Sequence, residues 1–295
     1  PSARTLANTV VFFRRTVTFQ GPPSRATGWV AADSRYRLWV NGELVQRGPA
    51  PHDPRHAEAD PVDLTSFLRS GDNVIAVEVL YFGHGEGTWP AGKPGFLFSL
   101  EADGKSIVSD ATWRCLVDPT RPPGGFRRWY LRSLQEIVDL REEPSGWRED
   151  GFEDGGWLPA MELDALPSRS AYSGAYREYA VETWMTRPAD STLSARSIPL
   201  LDHSQVSPVR VAATGVVTWH RTPDEWFRYR VPGSLTVAND VRPLDAKDVV
   251  VPVGARTVTY EFAKEIVGYP FIEIDAPRGT VVEIMVQESH DPVAR

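Results

Sequence analysis

Two short apolar runs flank the pair Asn41-Gly42, and this arrangement restricts the fold more than any other feature of the sequence. A two-residue loop of type I′ needs positive φ at both central residues, which Asn and Gly tolerate best. The flanking runs, 35–40 and 43–47, are therefore predicted to be antiparallel strands of a hairpin. Further strand-like runs separated by turn signals indicate a β-sandwich; they are 10–19, 26–32, 60–65, 73–80, 95–101 and 106–109.

The amino-acid composition agrees with an all-β protein. The 295 residues include 25 Pro and 23 Gly, and 11% of the chain is aromatic. Pro and Gly disfavour helix interiors, whereas aromatic side chains suit the half-buried face of a sheet. Only 65–73 has the pattern of a single helical turn. Most of the 10 tryptophans are expected to fill sandwich cores, and an exposed one could stack on a sugar ring.

Charge and cysteine content exclude several classes of protein. The net charge is −7 and no extended basic cluster occurs, so the chain is not expected to bind nucleic acid. A single cysteine, Cys115, rules out an internal disulfide framework. No apolar run reaches the roughly 20 residues that span a bilayer, so no membrane partner is expected. The chain starts at Pro1 without a signal-peptide pattern, which leaves the cellular compartment open.

The predicted strand directions bring three polar segments to one end of the sandwich. If 35–40 runs towards the Asn41-Gly42 turn, then the turn at 33–34 and the loops 48–59 and 81–94 all lie at the opposite end. Loops on a rigid β scaffold commonly carry binding sites. The candidate carbohydrate-binding residues at this end are Asp33, Arg35, Asp53, Arg55, His56, His84, Glu86 and Trp89, with His52 beside them.

The run His52-Asp53-Pro54-Arg55-His56 contains two histidines and an aspartate that could bind a metal ion. A histidine pair at i, i+4 binds a metal mainly when a helix aligns both rings, and Pro54 opposes a helix here. A pair between Asp53 and Arg55 that orders the loop is the simpler interpretation. Calcium, held by Asp and Glu oxygens of the loops, fits better than a transition metal because calcium accepts irregular oxygen cages.

No catalytic constellation stands out. Glycoside hydrolysis needs two carboxylates roughly 5–10 Å apart. Four glutamates, Glu265, Glu273, Glu283 and Glu288, lie on or beside predicted strands, but solvated outer-face positions account for them more simply. The chain has no nucleophile elbow, dinucleotide fingerprint or phosphate-binding loop. The Gly-rich run 83–87 is not followed by a helix and is not expected to hold a phosphate.

The remaining chain divides into a connection and a second β region. The run SGWREDGFEDGGW at 145–157 is interpreted as a surface link at a domain boundary. A second β region begins near 180 and is clearest at 249–287, where 275–279 is a predicted turn between two apolar strands.

Several motifs resemble one protein family. DSRYRLWVNG at 33–42, DLT-x-FL at 63–68 and GDNVIAV at 71–77, together with GPA and DPRH within 48–56, resemble the N-terminal β-sandwich of bacterial alpha-L-rhamnosidases of glycoside hydrolase family 78. The hairpin pattern also occurs in galactose-binding-like jelly rolls of other large glycosidases. Residues 260–284 resemble the sandwich that precedes the catalytic barrel in that family, with Glu261-Phe262-Ala263 where Asp-Phe-Gly is usual.

This resemblance implies two β-sandwich domains, a galactose-binding-like jelly roll at 1–158 and a second sandwich at 159–295. The family's catalytic carboxylates lie in an (α/α)₆ barrel, and no position here matches their motifs, so no catalytic residue is assigned. The expected function is non-catalytic: binding of a rhamnose-containing glycan, bracing of the catalytic barrel, or both. The alternatives are a purely structural module and a small self-contained β-sandwich glycosidase.

Overall fold

A computed structural model describes residues 8–52, 56–82, 94–121, 136–163, 169–172, 183–186, 193–219, 235–240 and 256–286. Contacts divide the chain into two compact units, Pro1–Leu200 and Leu201–Arg295. This division at residue 200 reflects where contacts within the chain are dense. It does not test the predicted domain boundary at 158, which stays a prediction.

The first unit contains a six-stranded antiparallel sheet. Its centre is the long pair β1 (Thr9–Phe19) and β6 (Gly71–Tyr81), in which Thr9 lies opposite Tyr81 and Phe19 lies opposite Gly71. Across the sheet, the order is β10 (Leu158–Pro159), β9 (Arg114–Val117), β1 (Thr9–Phe19), β6 (Gly71–Tyr81), β3 (Arg35–Val40) and β4 (Glu43–Gly48).

A five-stranded sheet packs against the first one. Its order is β13 (Ser194–Ala195), β5 (Glu58–Asp63), β2 (Ala26–Asp33), β7 (Gly95–Ala102) and β8 (Lys105–Val108). Neighbouring strands are antiparallel, except that the short β13 runs parallel to β5. A separate two-stranded ribbon joins β11 (Arg169–Tyr172) to β12 (Thr183–Thr186). The predicted all-β jelly roll is confirmed.

The Asn41-Gly42 turn is confirmed as a hairpin corner. Both residues have positive φ, 53° at Asn41 and 84° at Gly42, as a type I′ turn requires. The Asn41 side chain also ties the corner to β6, since its Nδ2 donates to Asn73 Oδ1 at 2.9 Å and its Oδ1 accepts from the Val74 N–H at 3.0 Å. The predicted helical turn is present as well, with the Leu68 N–H donating to the Leu64 carbonyl.

The core between the two sheets comes from alternate positions of their strands. On β6 these positions carry Ile75, Val77 and Val79, all buried. Val30 of β2 and Leu100 of β7 face them from the other sheet. Trp113, which follows β8, is buried in the same cluster, as expected for a core tryptophan.

A second apolar cluster lies on the outer face of the six-stranded sheet. There Phe12 of β1 contacts Trp147 and Trp157, and Trp39 of β3 contacts Trp147. The Phe12 and Trp147 rings are stacked with their centroids 4.4 Å apart, and Trp147 is only 1% exposed. Most residues of 145–157 lie at the surface, as predicted, but the segment is more than a link, because its Trp147 and Trp157 are buried. Its place at a domain boundary stays a prediction. The segment covers a sheet face that would otherwise expose aromatic side chains.

Arg14 fastens this covering segment to β1. Its side chain is 2% exposed. Its guanidinium donates to the carbonyls of Trp147 at 3.1 Å, Glu149 at 3.2 Å and Phe152 at 3.3 Å, and it forms an ion pair with Asp154. The buried charge is thus paired and hydrogen-bonded, as a charge removed from water must be. A single 3₁₀ turn, Leu140–Glu142, precedes the segment.

The second unit contains one three-stranded antiparallel sheet in its described part. The central β14 (Arg210–Trp219) pairs with β15 (Leu235–Asp240) and β16 (Arg256–Glu261). The predicted turn at 275–279 is present, with the Thr280 N–H donating to the Pro277 carbonyl at 3.1 Å and Gly279 at φ 92°.

The apolar strands predicted on either side of that turn are not formed. Residues 262–286 contain no strand. Pro270 and Pro277 lack backbone donors, and among the described residues no strand pairs with this stretch. Many of its apolar side chains are exposed, including Val267, Phe271 and Val286.

No helix among the described residues is both long and apolar enough to cross a membrane.

Candidate functional site at the loop end of the sandwich

The strand registers show that the connections predicted to share one end of the sandwich do leave the sheets at the same end. β2 ends at Asp33 opposite the first residue of β7, Gly95. β3 starts at Arg35 opposite Leu80, close to the end of β6. β4 ends at Gly48 opposite Tyr36, and β5 begins at Glu58. The turn at 33–34 and the loops after β4 and β6 therefore leave the sheets at one end, opposite the Asn41-Gly42 corner.

Ser34 holds the β2–β3 turn against the end of β6. Its backbone N–H donates to the Leu80 carbonyl at 2.9 Å, and its hydroxyl accepts from the Phe82 N–H at 3.1 Å. The same hydroxyl donates to Asp33 Oδ1 at 2.7 Å. One buried serine thus orients the carboxylate of Asp33 and the start of the loop that follows β6.

Arg35 lies beside this turn with its guanidinium carbon 5.3 Å from the centroid of the Phe82 ring. This cation–π geometry holds the side chain over the first residue after β6. Asp33 and Arg35 are each partly exposed at this end of the sandwich.

The structure describes only some of the remaining predicted site residues. His56 is exposed, and His52 is partly buried with Nδ1 3.1 Å from the Ala50 carbonyl oxygen. Five predicted residues lie outside the described part of the chain: Asp53, Arg55, His84, Glu86 and Trp89. Their roles, and the proposed pairing of Asp53 with Arg55, stay predictions.

The calcium site proposed for the loops also stays a prediction. In the described part of the chain, no three side chains of His, Cys, Asp or Glu come together as a metal would require. Glu265, Glu273 and Glu283 of the second unit are exposed, as expected for solvated positions, although partial burial raises the pKa of Glu283.

A buried polar network, which the sequence did not predict, lies behind the loop end. Asp60 of β5 accepts from the Tyr36 hydroxyl at 2.6 Å and from Arg196 Nη1 at 2.8 Å. Gln46 in turn donates to the Tyr36 hydroxyl at 2.7 Å. Burial, together with the neighbouring Asp60 carboxylate, raises the pKa of Tyr36 far above its ordinary value, so the phenol stays protonated and donates.

Gly48 is required by this network. A Cβ at that position would overlap the Asp60 carboxylate and lie 2.7 Å from the Tyr36 hydroxyl. The sequence did contain a signal for part of the network, since Asp60 shares a strand face with the buried Val62. Arg196 is 136 residues away along the chain, and no local pattern connects the two.

Charged side chains also cluster on the outer face of the six-stranded sheet. Glu78, which is mostly buried, lies between Arg37 at 3.3 Å and Arg121 at 3.5 Å. Arg121 also contacts the buried carboxylate of Asp118 at 2.5 Å. Every charge in this group has an opposite partner, so the cluster acts as a structural ion-pair network.

The two packed sheets, with connections leaving at one end, define the first unit as a jelly-roll β-sandwich. Comparison with known proteins narrows this class to a family. Residues 21–173, more than half of the chain, match the alpha-L-rhamnosidase N-terminal domain family. The chain belongs to that family, as its motifs suggested.

Individual relatives agree with this assignment. An alpha-L-rhamnosidase of Streptomyces avermitilis is 31% identical over 157 residues, which cover 52% of this chain and 12% of that protein. A probable beta-galactosidase C of Aspergillus niger is 26% identical over 137 residues, covering 44% of this chain and 13% of that protein. The chain therefore spans about an eighth of the length of these relatives.

A solved structure shows the same fold. The family 78 rhamnosidase of Bacillus sp. GL1 superposes with a TM-score of 0.57 and 28% identity, covering 72% of this chain and 21% of the Bacillus protein.

Proposed function

We propose that this chain is the non-catalytic N-terminal region of an alpha-L-rhamnosidase-like glycoside hydrolase, and that its jelly roll binds rhamnose-containing carbohydrate at the loop end. The family match over 21–173 carries this proposal. It is supported by the small share of each relative that the chain spans, because about four-fifths or more of those proteins lies outside the match.

The chemistry of the loop end suits a sugar. A sugar ring offers C–H faces to an aromatic ring and hydroxyl groups to charged side chains. Asp33 and Arg35, both partly exposed, supply acceptor and donor groups at fixed positions. Trp89 is the proposed stacking residue, with His84, Glu86, Asp53, Arg55 and His56 as its polar neighbours.

Calorimetric titration with methyl alpha-L-rhamnoside tests the binding function. We expect saturable binding by the wild-type chain, and roughly tenfold weaker binding by Asp33→Ala or Trp89→Ala, because each removes a direct contact worth about 1–2 kcal/mol. Parallel titrations with calcium or with a chelator test the calcium hypothesis. A flat titration in both conditions would refute sugar binding.

Bracing of a catalytic barrel is a second candidate function. The observation that favours it is the exposed apolar stretch of the second unit, where Phe271 is 80% exposed and Val286 is 82% exposed. Exposed apolar patches of this kind mark protein–protein contacts. Mixing this chain with a separately expressed barrel of a relative should give a complex in sedimentation, and Phe271→Ser should weaken that complex.

Hydrolysis by this chain alone would contradict the non-catalytic assignment. The measurement is turnover of an aryl alpha-L-rhamnoside, which we expect to remain at the buffer rate.

A further inference from the structure

We infer that the outer face of the five-stranded sheet carries a second carbohydrate-binding surface, centred on Trp29 and suited to neutral sugars. This surface is distinct from the loop end, so the inference goes beyond the proposed function. We call it the Trp29 platform and define it by six side chains that share one face: Thr27, Trp29, Pro61, Asp63, Ser99 and Glu101.

Trp29 differs from the other tryptophans whose side chains the structure describes. It is 45% exposed, whereas Trp39, Trp113, Trp147 and Trp157 are each 8% exposed or less. Its strand neighbour Val30 is buried in the sandwich core, so the alternation of β2 directs the indole outward. Nearly half of the Trp29 surface stays in contact with water on this sheet face, and a flat ligand could cover that part.

The sheet register fixes what surrounds the indole. Trp29 lies directly opposite Pro61 on β5 and Ser99 on β7. Opposed residues in an antiparallel pair have Cα atoms about 4.5–5.5 Å apart, so both side chains flank the ring closely. The Trp29 row therefore offers an aromatic surface with an apolar edge on one side and a hydroxyl on the other.

In the next row of residues on the same face, all three side chains can form hydrogen bonds. Thr27 lies two residues before Trp29, about 7 Å along the strand, and is opposed by Asp63 on β5 and Glu101 on β7. Both carboxylates belong to exposed residues, and Asp63 is oriented by the Thr65 N–H, which donates to it at 2.9 Å. Hydrogen bonds from Thr65 hold the pKa of Asp63 below its ordinary value, so its carboxylate is an acceptor at neutral pH.

These two rows match the two kinds of surface on a sugar. The C–H face of a pyranose can lie on Trp29 while its hydroxyl groups donate to Asp63 and Glu101. A largely apolar protein partner would fit less well, because it would remove the Asp63 and Glu101 carboxylates from water. A depression beside the platform also holds Asp103 and one cation, Arg25, whose charge helps to lower the pKa of Asp63. Carboxylates outnumber cations here and would repel an acidic sugar, so the platform should select neutral sugars.

The depression that borders the platform is open, has a volume of about 1030 Å³ and is lined by all six platform residues. Arg25, Asp103 and Leu200 also line it, together with residues packed between the sheets such as Val45 and Val62. The platform therefore forms one wall of this depression and leaves room for a sugar.

The test is calorimetric titration of the full chain with methyl alpha-L-rhamnoside, methyl beta-D-galactoside and D-glucuronic acid. We expect the Trp29→Ala variant to bind a neutral glycoside about tenfold more weakly than the wild type, because the aromatic contact is lost, and Trp29→Phe to lie in between. Asp63→Asn and Glu101→Gln should each weaken binding several-fold. Tyr260→Ala is the matched control, since Tyr260 is an exposed aromatic residue of β16 with 43% exposure, and it should bind as the wild type does.

The outcomes separate this inference from the proposed function. If Trp89→Ala abolishes binding while Trp29→Ala binds normally, the platform is refuted and the loop-end site stands. If the wild type binds D-glucuronic acid more tightly than both neutral glycosides, the assignment to neutral sugars is refuted. If no neutral sugar binds to the wild-type chain, both proposals fail.

Discussion

Both outer faces of the sandwich carry aromatic side chains, but in the described part of the chain only one of these faces is covered by another segment. On the six-stranded sheet, Phe12 and Trp39 are covered by Trp147 and Trp157 from a segment more than a hundred residues later. On the five-stranded sheet, Trp29 and Leu97 remain exposed, and within the described residues no segment covers them to the same extent. An aromatic residue on an outer face is therefore structural where the chain returns to cover it, and available for binding where it does not.

The two faces also differ in how charge is used. The covered face contains Arg14, whose guanidinium is buried and held by the covering segment itself. The exposed face has its charges, Asp63 and Glu101, in contact with water. The covered face thus uses charge to fix the chain, whereas the exposed face leaves charge accessible to a ligand.

Removing the covering tryptophan should have the largest effect on stability. We expect Trp147→Ala to lower the free energy of unfolding by about 3–5 kcal/mol, because it leaves a cavity against Phe12 and Trp39 and releases the segment held by Arg14. Urea denaturation followed by circular dichroism measures the change. A loss below about 1 kcal/mol would show that the segment does not contribute to the first unit's core.

Breaking the buried pair at the edge of the five-stranded sheet should rank second. Arg196→Met leaves the Asp60 carboxylate buried beside Tyr36 without its cation, which should cost about 3 kcal/mol in the same assay. The control is Arg210→Met, because Arg210 pairs with Glu261 at 2.6 Å in an exposed setting and should cost less than about 1 kcal/mol. Equal losses in the two variants would contradict the assignment of Asp60 as a buried charge.

Truncating the exposed tryptophan should affect stability less than either of these changes. Trp29→Ala should lower the free energy of unfolding by about 1–2 kcal/mol, since 45% of the residue is exposed and only the remaining contacts are lost. This is the direct counterpart of Trp147→Ala. A loss comparable to that of Trp147→Ala would remove the distinction between the two faces.

The smallest predicted effect is a pH dependence at the β5–β13 contact. Hydrogen bonds from the side chain and backbone of Ser197 lower the pKa of Glu58. A lowered carboxyl pKa stabilises the fold above the unfolded-state pKa of about 4.3, and this contribution is lost as the pH falls through the folded-state pKa. Wild type should therefore lose stability relative to Glu58→Gln between about pH 5 and pH 3, by less than about 1 kcal/mol because the site is solvated. Parallel unfolding curves for the two proteins across this range would contradict the prediction.

Local signals were sufficient for much of the sandwich. Asn41-Gly42 predicted its hairpin because the required positive φ values depend on two adjacent residues only. Strand directions, and with them the loop end, followed from that corner. The loop residues themselves were proposed from composition, and most of them lie outside the part that the structure describes.

Contacts between distant segments escaped prediction. The run 145–157 is rich in Gly and acidic residues, which is typical of a linker, yet it carries Trp147, Phe152 and Trp157 at intervals of five residues. The run VVFF at 10–13 was a second signal, because apolar residues on both faces of a strand indicate that both faces are covered. The pairs Arg14–Asp154 and Asp60–Arg196 have no local signature at all.

The long sequence separation between the partners of these buried contacts has a consequence for biosynthesis. Asp60 cannot meet Arg196 until 136 further residues have been translated, which takes about 7–27 seconds at 5–20 residues per second. Arg14 waits a comparable time for Trp147. During this interval the nascent sandwich exposes the aromatic face of its six-stranded sheet, so the newly made chain would be the state most in need of a chaperone.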